Sequence, residues 1–170
     1  GLQIFGQSNH AGTTPMSMRR DAGYAAARIA CEVRNLCDRI GASQRGTVGR
    51  IELKPNQINV IARQASLSID LRNRDEVLLK AAEEALSKSI ARIAQEESVE
   101  IRQSRLARFE PVAFDLDLIN TIERLAQARR LSYQRIVSGA GHDAQMLARV
   151  CPTAMIFIPS VGGLSHNPAE

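Results

Sequence analysis

The run Ala65-Ser66-Leu67-Ser68-Ile69-Asp70-Leu71-Arg72 alternates apolar and polar residues without a break. Side chains along a strand point to opposite faces in turn, so this run predicts a strand with one covered face and one open face. Cover of that kind comes from helices, and the chain offers two. Ala22, Ala25, Ile29, Val33, Leu36 and Ile40 recur at three- and four-residue steps between Asp21 and Gly41, the spacing of an amphipathic helix. Leu78, Ala82, Leu86, Ile90 and Ile93 mark a second stripe and predict a helix over about 75–97. Residues 2–7, 47–53 and 99–109 read as further strands. The order β-α-β-β-α-β is the split βαβ, or ferredoxin-like, arrangement: a four-stranded antiparallel sheet with two helices on one face. We assign it residues 1–112 of an α+β chain, and its open face suits subunit pairing or recognition.

Beyond Pro111 the pattern changes. Leu118, Ile122 and Leu125 predict a third helix, Gly139-Ala140-Gly141 interrupts the chain, and a short helix is expected over 142–150. Residues 154–158, Ala-Met-Ile-Phe-Ile, are apolar throughout, as in a strand covered on both sides in a parallel α/β sheet. One strand and two helices do not make such a sheet. Residues 113–170 are therefore expected to be the C-terminal piece of an incomplete α/β domain.

Composition narrows the partners. Across 170 residues the net charge is +4, carried almost wholly by arginine, since Lys54, Lys80 and Lys88 are the only lysines. The arginines are dispersed and aromatic residues make up 4%, so stacking platforms for single-stranded nucleic acid are scarce and no nucleic-acid partner is expected. No run approaches the ~18 consecutive apolar residues of a membrane span, and the first residues do not read as a secretory signal. A cytoplasmic protein with no membrane partner is the expectation. Cys31, Cys37 and Cys151 lack C-x-x-C spacing and read as reduced structural thiols.

The three histidines all lie in loops rich in small residues: Asn9-His10-Ala11-Gly12, Gly141-His142-Asp143 and Ser165-His166-Asn167-Pro168. A single loop histidine is ordinarily a solvated side chain. Three in such settings point instead towards a site. His166 follows the apolar run, near the carboxyl end of a strand, where open α/β sheets hold ligands. A neutral imidazole there suits a metal, yet the spacings of a complete metal site are absent. Arg72 falls on the open-face parity with Ser66, Ser68 and Asp70; a solvated arginine and a fork for a carboxylate both fit it. Asn59 fits equally a turn residue and an amide contacting a polar ligand.

Four segments in order carry a resemblance. Ser8-Asn9-His10-Ala11-Gly12-Thr13-Thr14-Pro15-Met16 with Arg19-Arg20-Asp21 is the first, and Pro55-Asn56-Gln57-Ile58-Asn59-Val60-Ile61 the second. Ser138-Gly139-Ala140-Gly141-His142-Asp143-Ala144 and Gly163-Leu164-Ser165-His166-Asn167-Pro168-Ala169-Glu170 complete the set. Together they resemble the allantoate amidohydrolase and N-carbamoyl-L-amino-acid hydrolase family, within the two-metal aminopeptidase-like peptidases and amidohydrolases. The resemblance implies a ferredoxin-like lid that also forms a homodimer, followed by the last part of a two-metal α/β catalytic domain. It makes His166 a metal ligand and His10 the lid histidine that steadies the tetrahedral intermediate in the partner subunit's site. Asn59 and Arg72 become substrate-holding residues, with Arg72 on the substrate carboxylate, and the Gly141-His142 loop lies on the substrate side.

The family's N-terminal catalytic portion, with the other metal ligands and the acidic base, is not among these residues, nor is a segment after Glu170. A fragment of a larger enzyme, inactive alone, is the expectation. In the intact enzyme two divalent ions, zinc or manganese, about 3.5–4 Å apart, activate a shared water and polarise a ureido carbonyl; this chain alone is not expected to bind them fully. The implied substrate is a small ureido or carbamoyl carboxylate. Allantoate, cleaved to ureidoglycine or ureidoglycolate with ammonia and carbon dioxide, is favoured by Ser8-Asn9 and Gln145. N-carbamoyl-L-amino acids are the alternative. A reading from another class is a non-catalytic dimerisation or small-molecule-binding module built on the open sheet.

Overall fold

The structure, a computed structural model, describes residues 1–168, so Ala169 and Glu170 of the fourth segment lie outside the described residues. Two compact units meet in sequence between Pro111 and Val112. In the first, β1 (Leu2–Phe5), α1 (Ala22–Ile40), β2 (Arg45–Lys54), β3 (Gln64–Arg72), α2 (Glu76–Glu96) and β4 (Glu100–Gln103) follow one another. The sheet order is β2-β3-β1-β4 with every neighbouring pair antiparallel. This is the ferredoxin-like sheet.

Each helix begins where an aspartate accepts the first free backbone N–H groups. Asp21 accepts from Gly23 and Tyr24 at 2.8 and 3.0 Å, and Asp75 from Val77 and Leu78 at 2.8 and 3.2 Å. Such a cap is worth about 1 kcal/mol. The core lies between the helices and one face of the sheet: Leu2, Ile4, Ala65 and Leu67 meet Ala25, Ala26, Ile29, Val33 and Leu36 of α1 and Ala82, Leu86, Ile90 and Ile93 of α2. Gly46 lets α1 sit close on β2, because a Cβ there would stand 2.5 Å from Cys37 Sγ and 2.9 Å from Val33 Cγ1. Arg28 of α1 pairs with Glu96 and Glu97 at the end of α2, and Glu32 accepts from Ser89, tying the helices at their solvent edge.

The opposite sheet face carries Gln3, Arg50, Glu52, Lys54, Gln64 and Ser66, which line a shallow polar depression. Three expectations need correction. The α2 stripe buries Leu79, while Leu78 is 39% exposed. The last strand pairs only over Glu100–Gln103, since β1 offers four residues to pair with and the chain then leaves the sheet. Cys31 and Cys151, expected as structural thiols, are exposed, and Cys37 is half-buried.

The second unit contains α3 (Leu116–Ala128), capped by Asp115, and α4 (Asp143–Leu147). The backbone N–H of Asp115 donates to the Thr153 carbonyl at 2.9 Å. Residues 154–158, expected as a buried strand, form no ladder among the described residues, and Ile156 and Ile158 are 72% and 86% exposed. A strand exists only with a neighbour to pair with, and none is present among the described residues. Among the described residues no helix is long and apolar enough to cross a membrane.

Candidate functional site

The loop between β1 and α1 is built around His10. Residues 9–11 run antiparallel to 59–61: the N–H of Ala11 donates to the Asn59 carbonyl at 3.0 Å and that of Ile61 to the Asn9 carbonyl at 2.9 Å, bracketing a His10–Val60 bridge. The Asn9 side chain accepts from the His10 N–H at 2.8 Å. Thr14, 6% exposed, closes the turn by donating from both N–H and Oγ1 to the His10 carbonyl. Two backbone donors, Gly12 and Thr13, point at His10 Nδ1 at 3.0 and 3.2 Å. An imidazole nitrogen that accepts carries no proton, so the neutral ring bears its hydrogen on Nε2. The ring is exposed, and it presents a fixed Nε2–H donor. A side chain at Gly12 would crowd this ring, its Cβ falling 3.3 Å from His10 Cε1.

Asn59 is brought beside His10 by the same bridge. Its side chain is exposed and its carbonyl is committed to Ala11. Met16, Met18 and Ile58 surround this end of the unit with exposed apolar side chains, and a groove lined by Arg19, Tyr24, Leu53, Pro55 and Val60 runs alongside.

Arg72 lies elsewhere. It ends β3, eight residues beyond Gln64, and Gln64 pairs with Phe5 at the end of the sheet from which the His10 loop departs. At about 3.4 Å per residue the strand separates the two by about 27 Å. The guanidinium forks onto Asp70, Nε to Oδ1 at 2.9 Å and Nη2 to Oδ2 at 2.7 Å. That hydrogen bond holds the Asp70 carboxyl below its ordinary value and raises Arg72 above its own. The geometry shows that Arg72 can grip a carboxylate with two bonds. It also shows that such a grip is in use within the chain.

In the second unit, Gly141 and His142 precede α4, with His142 at its N-terminal boundary and its ring edge-on to Phe157 at 6.0 Å between centroids. Only Gln145 Oε1, at 3.7 Å, comes near a Cβ built on Gly141, so that position is not closed to a side chain. His166 is exposed with φ +56°, the left-handed region. Among the described residues no group of three or more His, Cys, Asp or Glu side chains is placed to hold a metal ion. A divalent pair needs more ligands than His166 supplies, so the residues present do not by themselves fit such a centre.

Sequence reasoning missed the residue that organises the His10 loop. Arg19 donates from Nη2 to the Ala11 carbonyl at 2.6 Å and from Nε and Nη2 to the Thr14 carbonyl at 3.1 Å. Its contacts are all to backbone, which leaves no complementary residue type in the sequence to signal them.

The pattern of peptidase family M20/M25/M40 matches residues 10–170. Allantoate amidohydrolase of Escherichia coli (strain K12) is 41% identical over 169 residues, covering 99% of this chain and 41% of that protein. N-carbamoyl-L-amino-acid amidohydrolase of Rhizobium meliloti is 37% identical, covering 98% of this chain and 40% of that protein. Among solved structures, an amidase of the hydantoinase/carbamoylase family from Burkholderia vietnamiensis superposes with a TM-score of 0.93 at 36% identity, over 98% of this chain and 40% of that one. The chain thus spans about two fifths of the length of the relatives it matches.

Proposed function

The chain belongs to peptidase family M20/M25/M40, and from that premise we propose that the protein carrying it is an amidohydrolase that cleaves a ureido or carbamoyl C–N bond of a small carboxylate. The observation that carries this reading is the fixed, exposed Nε2–H of His10. Attack of water on a ureido carbonyl builds negative charge on its oxygen, and a pre-positioned donor stabilises that charge more than the neutral ground state. Asn59, on the same bridged loop, supports the substrate's polar groups. Arg72 takes the carboxylate, leaving Asp70 to do so.

Two copies are needed in this account. A small ureido carboxylate does not reach across the roughly 27 Å between the two ends of β3. His10 and Asn59 therefore serve a site whose Arg72 belongs to another copy, and the protein acts as a homodimer through this unit. The exposed Met16, Met18 and Ile58 around the His10 loop favour approach to another protein surface. His166 is proposed as one ligand of a divalent metal pair, zinc or manganese, whose other ligands lie outside these 170 residues. The Gly141-His142 loop is assigned to the substrate side. A cytoplasmic setting is proposed, in keeping with three free cysteines.

Allantoate is the preferred substrate and an N-carbamoyl-L-amino acid the second, in line with what the two relatives act on. Ammonia release from each compound by the full-length parent protein, with added manganese or zinc, tests the proposal. Ammonia from allantoate supports the first substrate, and turnover only of the carbamoyl amino acid moves the assignment to the second. No turnover of either overturns both substrate assignments and favours the non-catalytic association module.

A further inference from the structure

We propose that Arg19 is a positioning residue for the reaction, holding His10 in the one tautomer and orientation that present Nε2–H outward. The inference rests on the role assigned to His10 above. The His10 ring is steered through its Nδ1 by the backbone N–H groups of Gly12 and Thr13, so the ring is only as well placed as those two peptides. Both peptides sit between the Ala11 and Thr14 carbonyls. One half-buried guanidinium spans these carbonyls, taking Ala11 at 2.6 Å and Thr14 twice at 3.1 Å. The Thr14 residue it grips also closes the turn onto the His10 carbonyl at 2.6 Å. A planar fork with several donors can satisfy both carbonyls at once, whereas the point charge of a lysine cannot reproduce that span.

Arg19 touches neither substrate nor reacting atoms in this account. Its loss acts by letting the turn open, which frees Nδ1 from its two donors and lets the ring exchange tautomers. Misplacement of a catalytic group by about 1 Å is enough to slow a reaction by up to about a hundredfold.

The test uses the full-length protein and four variants. His10→Ala is expected to lower kcat about a hundredfold or more. Arg19→Ala is expected to lower kcat about tenfold with KM nearly unchanged, Arg19→Lys to restore part of the loss, and the double variant to be no slower than His10→Ala alone. Arg20→Ala removes the same charge one residue away from an exposed position and should leave kcat as it is. Long-range proton–nitrogen spectra of the imidazole should show His10 protonated on Nε2 in the parent and a mixture of tautomers in Arg19→Ala. If Arg19→Ala melts too low for assay, Arg19→Gln, which still donates to one carbonyl, carries the same readouts. A His10→Ala loss accompanied by an unchanged kcat and tautomer in the Arg19 variants overturns the inference. An unchanged His10→Ala enzyme removes the reading beneath it, and the inference with it.

Discussion

In the proposed site, the pair Arg72–Asp70 would set how strongly the guanidinium fork holds a substrate carboxylate. Asp70 is held below its ordinary value by Arg72, so the pair is fully charged above the usual carboxylate range and is lost only as pH falls through that lowered value. Between about pH 5 and 8 the pair does not titrate, and a substrate carboxylate must displace Asp70 or share the guanidinium with it. Arg72→Ala should raise KM for a ureido carboxylate about tenfold or more, the scale of a lost charge-assisted bond. Asp70→Asn should lower KM several-fold by releasing the fork. A rise of KM in both variants would mean that Asp70 aims Arg72 rather than competes for it. The candidate residues themselves were legible as loop histidines and an open-face arginine. Their bonds were not, because Gly12 and Thr13 reach His10 through backbone N–H groups, and Arg19 grips backbone carbonyls, that one residue type displays as well as another.

At the scale of elements, periodicity placed the helices and strands, and neighbours decided their detail. Leu78 and Leu79 both fit a helical step to Ala82, and only the sheet beneath α2 selects Leu79 as the buried one. The length of β4 is set by β1, its one partner in the sheet among the described residues, so the residues after Gln103 stop pairing whatever their own propensity. Residues 154–158 make the same point in the second unit, where strand-like composition has no partner among the described residues. Gly46 shows how one position can govern two elements. Gly46→Ala would drive a methyl into Cys37 and Val33 of α1, so the helix must move off β2, at a cost of about 1–3 kcal/mol typical of overpacking. Thermal or urea unfolding should show that loss, and an unchanged midpoint would mean that α1 yields more easily than its packing implies.

At the scale of the whole molecule, the proposed dimer would bring residues from one end of the sheet to those from the other. Within a single copy β3 holds Arg72 about 27 Å from Gln64, at the end of the sheet from which the His10 loop departs, and closed two-fold symmetry is the common way for one chain to bring distant parts of itself to one site. The chain order and the four spaced segments revealed the fold and the family membership from sequence alone. The separation of His10 and Arg72 to opposite ends of the sheet did not emerge until strand register was known. Mixing full-length His10→Ala with full-length Arg72→Ala, after exchange of subunits, measures that division directly. Assayed with substrate well below KM, each variant alone is predicted to keep about a tenth of parental activity or less, and random pairing should restore about a quarter, since half the dimers are mixed and each holds one intact site. A mixture no more active than its components would contradict the account, because it would place His10 and Arg72 of the same copy at one substrate.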